Sequence, residues 1–231
     1  MNSSSRGGVG EGAGDKVQGK KVCYNLPMNK TTKRIGFWAS LVTAVSIVVS
    51  FIPPLVLKAG SADIQFYFVP ALTMINGFLI VIICVHSLAP ADKKIFSRLA
   101  MAFGIIFAAI GSINYGFQLT FMRQAIIQGN EQVIALLSST NPYSVFWVME
   151  MLAYTFMGVA SLFMLPLFTA KKDRLLKWLW GLNGLIGVAS IIYETFGTAQ
   201  ILTPFGLGAA IAWNIVFFAL NVSMIGYFRT K

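Results

Sequence analysis

The sequence predicts an all-α polytopic membrane protein, a six-transmembrane-helix bundle with both the N-terminus and the C-terminus in the cytoplasm. The 231 residues are 56% hydrophobic and only 11% charged, whereas a soluble domain is about 45–50% apolar and about 25% charged. Six apolar runs are each long enough to cross a hydrocarbon core ~30 Å thick. Basic residues fall almost entirely on one side of these runs. Together these observations exclude a soluble globular domain.

The predicted elements follow in order. Residues 1–34 are rich in Gly, Ser and Lys, which predicts a flexible cytoplasmic tail whose basic end lies against anionic headgroups. Residues 35–228 form a single transmembrane domain, and residues 229–231 form a short cytoplasmic end. The spans must be helical, because lipid offers the backbone no hydrogen-bond partner. They are predicted at 35–57, 66–88, 99–122, 143–169, 178–199 and 205–228.

The distribution of charge predicts the orientation. Sixteen of the 18 Lys and Arg residues lie in the tail, in the second and fourth loops and at the C-terminus. Only Lys58 and Arg123 lie on the other side. Cytoplasmic loops carry the excess of basic residues in membrane proteins, so this asymmetry requires an even number of spans. It also accounts for the net charge of +10 without a nucleic-acid partner, and none is expected.

The outer side contains the other local signals. Pro53-Pro54 is predicted to end or kink the first span. Residues 131–137 form either a short helix on the outer leaflet or a disordered loop, because their apolar residues can share one face. Asn141-Pro142 reads as an N-cap followed by proline in the first helical position of the fourth span.

Polar and small residues recur three and four positions apart within the spans, as at Asn183, Gly187, Ser190 and Glu194 of the fifth. Residues with this spacing share a helix face, and such faces pack against other helices rather than lipid. The same spacing occurs at Trp147, Glu150, Tyr154, Gly158 and Ser161, and at Gly104, Ala108, Gly111, Tyr115 and Gln118. We therefore predict that these stripes face the bundle interior.

The polar residues gather in the outer half of the bundle, which predicts an outward-facing polar pocket around Glu150. An acidic residue deep in a span costs about 2.5–3.5 kcal/mol, so it is retained where it is paired, hydrated or functional. Arg123 is the expected cationic partner of Glu150 or Glu194. A purely structural role stays open for both glutamates and for the asparagines. The candidate ligand-binding residues are Glu150, Glu194, Arg123, Gln118, Asn114, Tyr154, Asn76 and Asn214.

No catalytic motif, cofactor or metal site is predicted. The chain has one histidine, His86, and two cysteines, Cys23 and Cys84, which do not form any metal-binding spacing. No nucleophile elbow or phosphate-binding loop occurs. We therefore expect a protein that is not an enzyme.

A pattern in the second half of the chain resembles that of small six-span bacterial inner-membrane proteins, a group with no assigned activity. The pattern covers Glu150, Gly158, Pro166, Lys171-Lys172, Trp178, Gly187, Trp213-Asn214 and Arg229, and the resemblance extends over residues 35–230. It implies a location in the bacterial cell membrane.

Two functions are open from the sequence. The first is the transport or sensing of a small polar molecule or cation through the pocket around Glu150. The second is a structural or accessory subunit that packs against another membrane protein. It predicts that small-residue faces such as Gly104/Gly111 or Gly206/Ala210 point outward to that partner. A lipid-modifying enzyme is least supported, because no second catalytic group accompanies Glu150.

Overall fold

The structure is a computed structural model that describes residues 30–52, 56–57, 62–196 and 203–230. Within these ranges every regular element is helical, and six helices are long and apolar enough to cross a membrane. This confirms the all-α class and the number of candidate spans, and it supports a multi-pass membrane protein. The spanning helices are α1 (Lys30–Val49), α2 (Phe68–Leu88), α3 (Lys94–Phe117), α4 (Val145–Met164), α5 (Arg174–Phe196) and α6 (Pro204–Thr230).

The six helices form a closed ring in chain order. Each packs against the next, and α6 packs back against α1. Phe228, near the end of α6, covers Gly36 near the start of α1, and the Arg229 guanidinium lies 4.9 Å from the centre of the Phe37 ring. The two ends of the described bundle therefore lie on the same side.

Aromatic side chains fill the centre of the ring. Phe78 of α2 lies 5.8 Å from Phe107 of α3, 5.6 Å from Trp180 of α5 and 5.3 Å from Phe217 of α6, measured between ring centroids. All four rings are at most 1% exposed. Offset and edge-to-face pairs of this kind add packing energy beyond the area that they bury. The middle of the bundle is therefore apolar.

Helices α4 and α5 lie in backbone contact. A methyl group at Gly158 would lie 2.7 Å from both the Gly184 carbonyl oxygen and the Val188 amide nitrogen. A methyl group at Gly187 would lie 2.6 Å from the Tyr154 carbonyl oxygen. Small residues allow helices in membranes to approach this closely. The stripe predicted from residue spacing is thus the contact surface between α4 and α5.

The helices begin and end mostly a few residues away from the predicted limits of the spans. Helix α1 covers Lys30–Val49, whereas the predicted span is 35–57. It starts earlier because long basic side chains can lie in the first turn and extend their charged ends to the interface. Helix α3 continues through a π-helical turn, Gln118–Met122, into Arg123–Ile127. The predictions for residues 1–29, for Pro53-Pro54 and for Lys58 lie outside the described residues.

Side-chain caps order the segment at the end of the bundle opposite the start of α1 and the end of α6, the end that the sequence predicts to be the outer one. Residues Glu131–Leu137 form a helix, as one of the two readings predicted, and the Asn130 side chain accepts a hydrogen bond from the Val133 amide at 3.2 Å. The prediction that Asn141 caps the fourth span is wrong. Ser144 is the N-cap and accepts from the Trp147 amide at 3.0 Å.

The physical reason for this difference is a competing turn at Asn141. Its side-chain oxygen accepts from the Tyr143 amide at 3.1 Å, which closes an Asx turn over the proline. The backbone therefore turns once more before it becomes helical, and α4 starts at Val145.

The α4–α5 contact generates a stability prediction. Gly158→Ala should destabilise the bundle by about 1–3 kcal/mol, because the added methyl group overpacks a backbone contact that cannot relax by a rotamer change. Reversible unfolding in mixed micelles measures this. Gly226→Ala in α6 is the matched control, since no heavy atom lies within 4 Å of the added group. An equal loss in both variants would contradict the assignment.

Candidate functional site

Glu150 lies between two tyrosine hydroxyls. The Tyr115 hydroxyl of α3 donates to Glu150 Oε1 at 2.7 Å, and the Tyr154 hydroxyl donates to the same oxygen at 3.0 Å. The two hydroxyl oxygens are 2.8 Å apart. We call Tyr115, Glu150 and Tyr154 the carboxylate triad. Both bonds end on one carboxylate oxygen, and hydrogen bonds of this kind offset part of the cost of holding a carboxyl group away from water.

The expected ion pair between Arg123 and Glu150 or Glu194 is wrong. Arg123 pairs instead with Asp63, at 3.1 Å, in the turn before α2, and its guanidinium lies 5.4 Å from the centre of the Phe66 ring. The π-helical turn extends α3 beyond Phe117. Arg123, which follows this turn, therefore lies beside the turn that precedes α2 and not beside α4 or α5. Sequence analysis did not include Asp63 among the possible partners of Arg123. Its position just before the second predicted span, at the same end of the bundle as Arg123, could have suggested the pair.

Gln118 ties α3 to the outer helix Glu131–Leu137, and Asn114 ties α3 to the first turn of α4. The Gln118 amide donates to the Leu137 carbonyl at 2.9 Å, and the Asn114 amide donates to the Phe146 carbonyl at 3.0 Å. Their side-chain oxygens are buried and have no partner among the described residues. Buried polar atoms are normally paired, so this layer is where ordered water fits. The two residues thus act as ties between elements in the outer layer.

A cavity of about 340 Å³ lies between the outer halves of α4, α5 and α6. Its walls are mainly small residues and aromatic side chains, and Glu194 is the acidic residue on the lining. The residues that line it are Met151, Tyr154, Ile186, Gly187, Ala189, Ser190, Tyr193, Glu194, Gly206, Ala209, Ala210 and Trp213. We call this space the α4–α6 cavity.

Hydrogen bonds outside the cavity hold the Trp213 side chain of its aromatic wall in place. Trp213 lies 4.9 Å from Tyr154 between ring centroids, and its indole N–H donates to Asn183 Oδ1 at 3.1 Å. The Asn183 amide in turn donates to Ser161 at 2.8 Å. This chain of bonds uses polar residues from α4, α5 and α6. It holds the indole in one orientation toward the cavity.

Glu150 and Glu194 occupy different positions relative to this cavity. Glu194 is on the lining, half-buried, and has no hydrogen bond or ion pair to any other described residue. Glu150 is not on the lining; it lies one hydrogen bond behind Tyr154. The polar pocket predicted around Glu150 is therefore a mainly apolar cavity beside it, with Tyr154 shared between cavity and triad.

The two remaining candidates lie elsewhere. Asn76 is exposed on the exterior of the ring. Its side-chain amide donates to the Leu72 carbonyl at 2.9 Å and to the Ser112 hydroxyl at 3.3 Å. Asn214 donates within α6 to the Ala210 carbonyl. Both amides satisfy themselves on helix backbone. The predicted site residues are thus divided among the triad, the cavity, the outer layer and the exterior of the ring.

Comparisons with known proteins leave the site to be argued from its geometry. Protein-family models, curated proteins and solved structures give no match to this chain. Within the described part of the chain, three or more His, Cys, Asp or Glu side chains do not come together in a way that could hold a metal ion.

The carboxylate triad generates a second prediction. Tyr115→Phe should destabilise the protein by about 1–3 kcal/mol, because it removes one of the two donors to a partly buried carboxyl group. The control is Tyr143→Phe, whose side chain is 82% exposed and whose loss of the hydroxyl should change the unfolding free energy by less than about 0.5 kcal/mol. Thermal unfolding in detergent compares the two. Equal stabilities would remove the structural role assigned to the triad.

Proposed function

We propose that this protein binds a small amphipathic cation, such as an organic amine with an apolar body, in the α4–α6 cavity. The observation that carries the proposal is Glu194, a lining residue of a cavity whose other walls are mainly aromatic and aliphatic, with a carboxylate that has no hydrogen bond or ion pair among the described residues. A carboxylate in such surroundings is stabilised by a cation. The apolar walls favour a ligand that also carries hydrocarbon.

The aromatic residues support the same ligand class. Tyr154, Tyr193 and Trp213 all line the cavity, and aromatic faces attract ammonium groups through their quadrupoles, most strongly when the site excludes water. The volume of about 340 Å³ lies at the lower end of the range for small-molecule sites, roughly 300–1,000 Å³. An amine of one or two rings matches this size.

Glu150 supports the site from behind its wall. It holds the Tyr154 hydroxyl at 3.0 Å, and this bond turns the tyrosine ring toward Trp213 and the cavity. A cation against the Tyr154 ring is therefore also near a second carboxyl group. Glu150 acts in this proposal as a positioning residue, and Glu194 acts as the direct contact.

The packing of the ring favours binding or sensing over passage through the centre. Phe78, Trp180 and Phe217 fill the middle of the bundle and are fully buried. The cavity instead reaches the outside of the ring, where its lining residues Ala189 and Ala209 are exposed. Transport would require the central aromatic cluster to open.

The small-residue faces favour this function over that of an accessory subunit. A methyl group at Gly104 would lie 3.0 Å from Ile82, and Gly111 faces Ile75, both on α2. Gly206 and Ala210 line the cavity. The Gly104/Gly111 face is thus already used within this chain, and the Gly206/Ala210 face lines the space that the proposed ligand would occupy.

We also propose that both termini face the cytoplasm and that the membrane is a bacterial cell membrane. The support for the orientation is the excess of basic residues on one side of the spans together with the shared side of Gly36 and Phe228. The bacterial location rests on the resemblance of the sequence alone and stays a prediction.

A third prediction tests the ligand class. Phenethylamine and benzyltrimethylammonium should bind to the purified protein, and Glu194→Gln should weaken binding about tenfold or more, since a charged partner is lost. Isothermal titration in detergent measures the affinities, with the neutral ethylbenzene as the ligand control. Glu131→Gln on the exposed outer helix is the matched protein control. Unchanged affinity in Glu194→Gln would rule out the assigned contact.

A fourth prediction tests the orientation. In a background with both cysteines replaced by serine, Glu131→Cys should react with a membrane-impermeant maleimide in intact cells. Lys172→Cys should react only after the membrane is permeabilised. Both positions are exposed, so the difference reports the side of the membrane. The opposite pattern would invert the proposed topology.

A further inference from the structure

A second groove lies on the opposite side of the ring from the α4–α6 cavity, on the membrane-facing surface between α1 and α2. Its volume is about 490 Å³. Ala39 and Gly77 form its floor, and Trp38, Val42 and Ile80 form walls that are 39–52% exposed. From Arg34 to Val42 the groove follows α1 for about 12 Å at the helical rise of ~1.5 Å per residue. We call it the α1–α2 groove.

The groove owes its depth to small residues. Gly77 faces the Thr43 hydroxyl and lies near the Ala39 carbonyl oxygen, so the two helices approach closely where neither carries a large side chain. The larger residues stand on either side of this contact. The result is a channel open to lipid along its length.

The uncompensated polar group of the groove is the guanidinium at one end. Arg34 is exposed and has no hydrogen bond or ion pair among the described residues. Lys30 and Lys33 precede it in the first turn of α1, and Arg229 of α6 lies over Phe37. The groove lining does not include an acidic residue. This end of the groove is therefore strongly positive.

The other polar residues of the groove are already satisfied. The Thr73 hydroxyl donates to the Val69 carbonyl at 3.0 Å, and the Asn76 amide donates to the Leu72 carbonyl and the Ser112 hydroxyl. They do not require a polar partner from a ligand. The matching occupant therefore has one anionic end and a long apolar body.

We propose that the α1–α2 groove is a binding site for an anionic phospholipid, with the phosphate at Arg34 and one acyl chain along Trp38, Val42 and Ile80. An arginine matches a phosphate in geometry as well as in charge. Trp38 lies one helical turn from Arg34 on the same lining, and tryptophan is enriched at the headgroup boundary of membranes. This site is independent of the proposed amine site, because the two do not share a lining residue.

The test uses the full chain, delipidated in detergent and titrated with dioleoylphosphatidylglycerol or dioleoylphosphatidylcholine, with bound lipids counted by native mass spectrometry. The protein should bind the anionic lipid more tightly. Arg34→Gln should weaken that binding about fivefold, the effect of one basic residue at an anionic headgroup. Arg98→Gln, an exposed arginine of α3, is the matched control and should retain the affinity.

A second pair of variants tests the acyl chain. Val42→Trp should fill the groove and displace the bound anionic lipid, while Val222→Trp, at an equally exposed valine of α6, should not. Equal affinity of Arg34→Gln and wild type, or an equal loss in Arg98→Gln, would overturn the proposal. So would full competition by inorganic phosphate, which would show a bare anion site, or a dimer blocked by Val42→Trp, which would show a second copy as occupant. Amine binding at Glu194 should persist in every variant.

Discussion

The close contact between α4 and α5 is the constraint on which the outer half of the bundle depends. Gly158, Gly184 and Gly187 leave the two backbones touching, and this fixes both the distance and the rotation of α4. In that rotation Tyr154 both bonds Glu150 in the carboxylate triad and lines the cavity. A larger side chain in place of one of these glycines would push α4 away from α5 and separate Tyr154 from Trp213. The geometry of the site therefore depends on the packing of these two helices.

The apolar centre explains where the polar groups lie. Phe78 and its aromatic neighbours occupy the axis of the ring, so carboxyl and amide groups fit only between adjacent helices or near the ends. Two of them are bonded to neighbouring side chains: Glu150 to two tyrosines, and Asn183 to Ser161 and Trp213. Glu194 and Arg34 have no hydrogen bond or ion pair among the described residues. Glu194 is half-buried and Arg34 is exposed, so a ligand can reach both.

Glu194 and Arg34 lie at opposite ends of the bundle and in different surroundings. The carboxylate lies near the end of α5, beside a cavity lined by three helices. The guanidinium lies at the opposite end, beside a groove open to lipid. One arrangement suits a compact cation, and the other suits an anion with a chain. The two sites differ because α5 and α6 enclose the first, whereas α1 and α2 pack closely and leave only a surface channel.

The sequence by itself determined the features that are local to one segment. The six helices, the outer helix Glu131–Leu137 and the buried face of α3 at Gly104, Gly111 and Tyr115 all follow from hydrophobic length and from the spacing of residues on one helix. It did not determine which polar groups meet. Arg123 bonds Asp63 and Asn76 lies outside the ring, because partners on different helices depend on rotation and crossing. The tertiary structure decides these through contacts such as Gly158 against Gly184, which the spacing within a single helix does not encode.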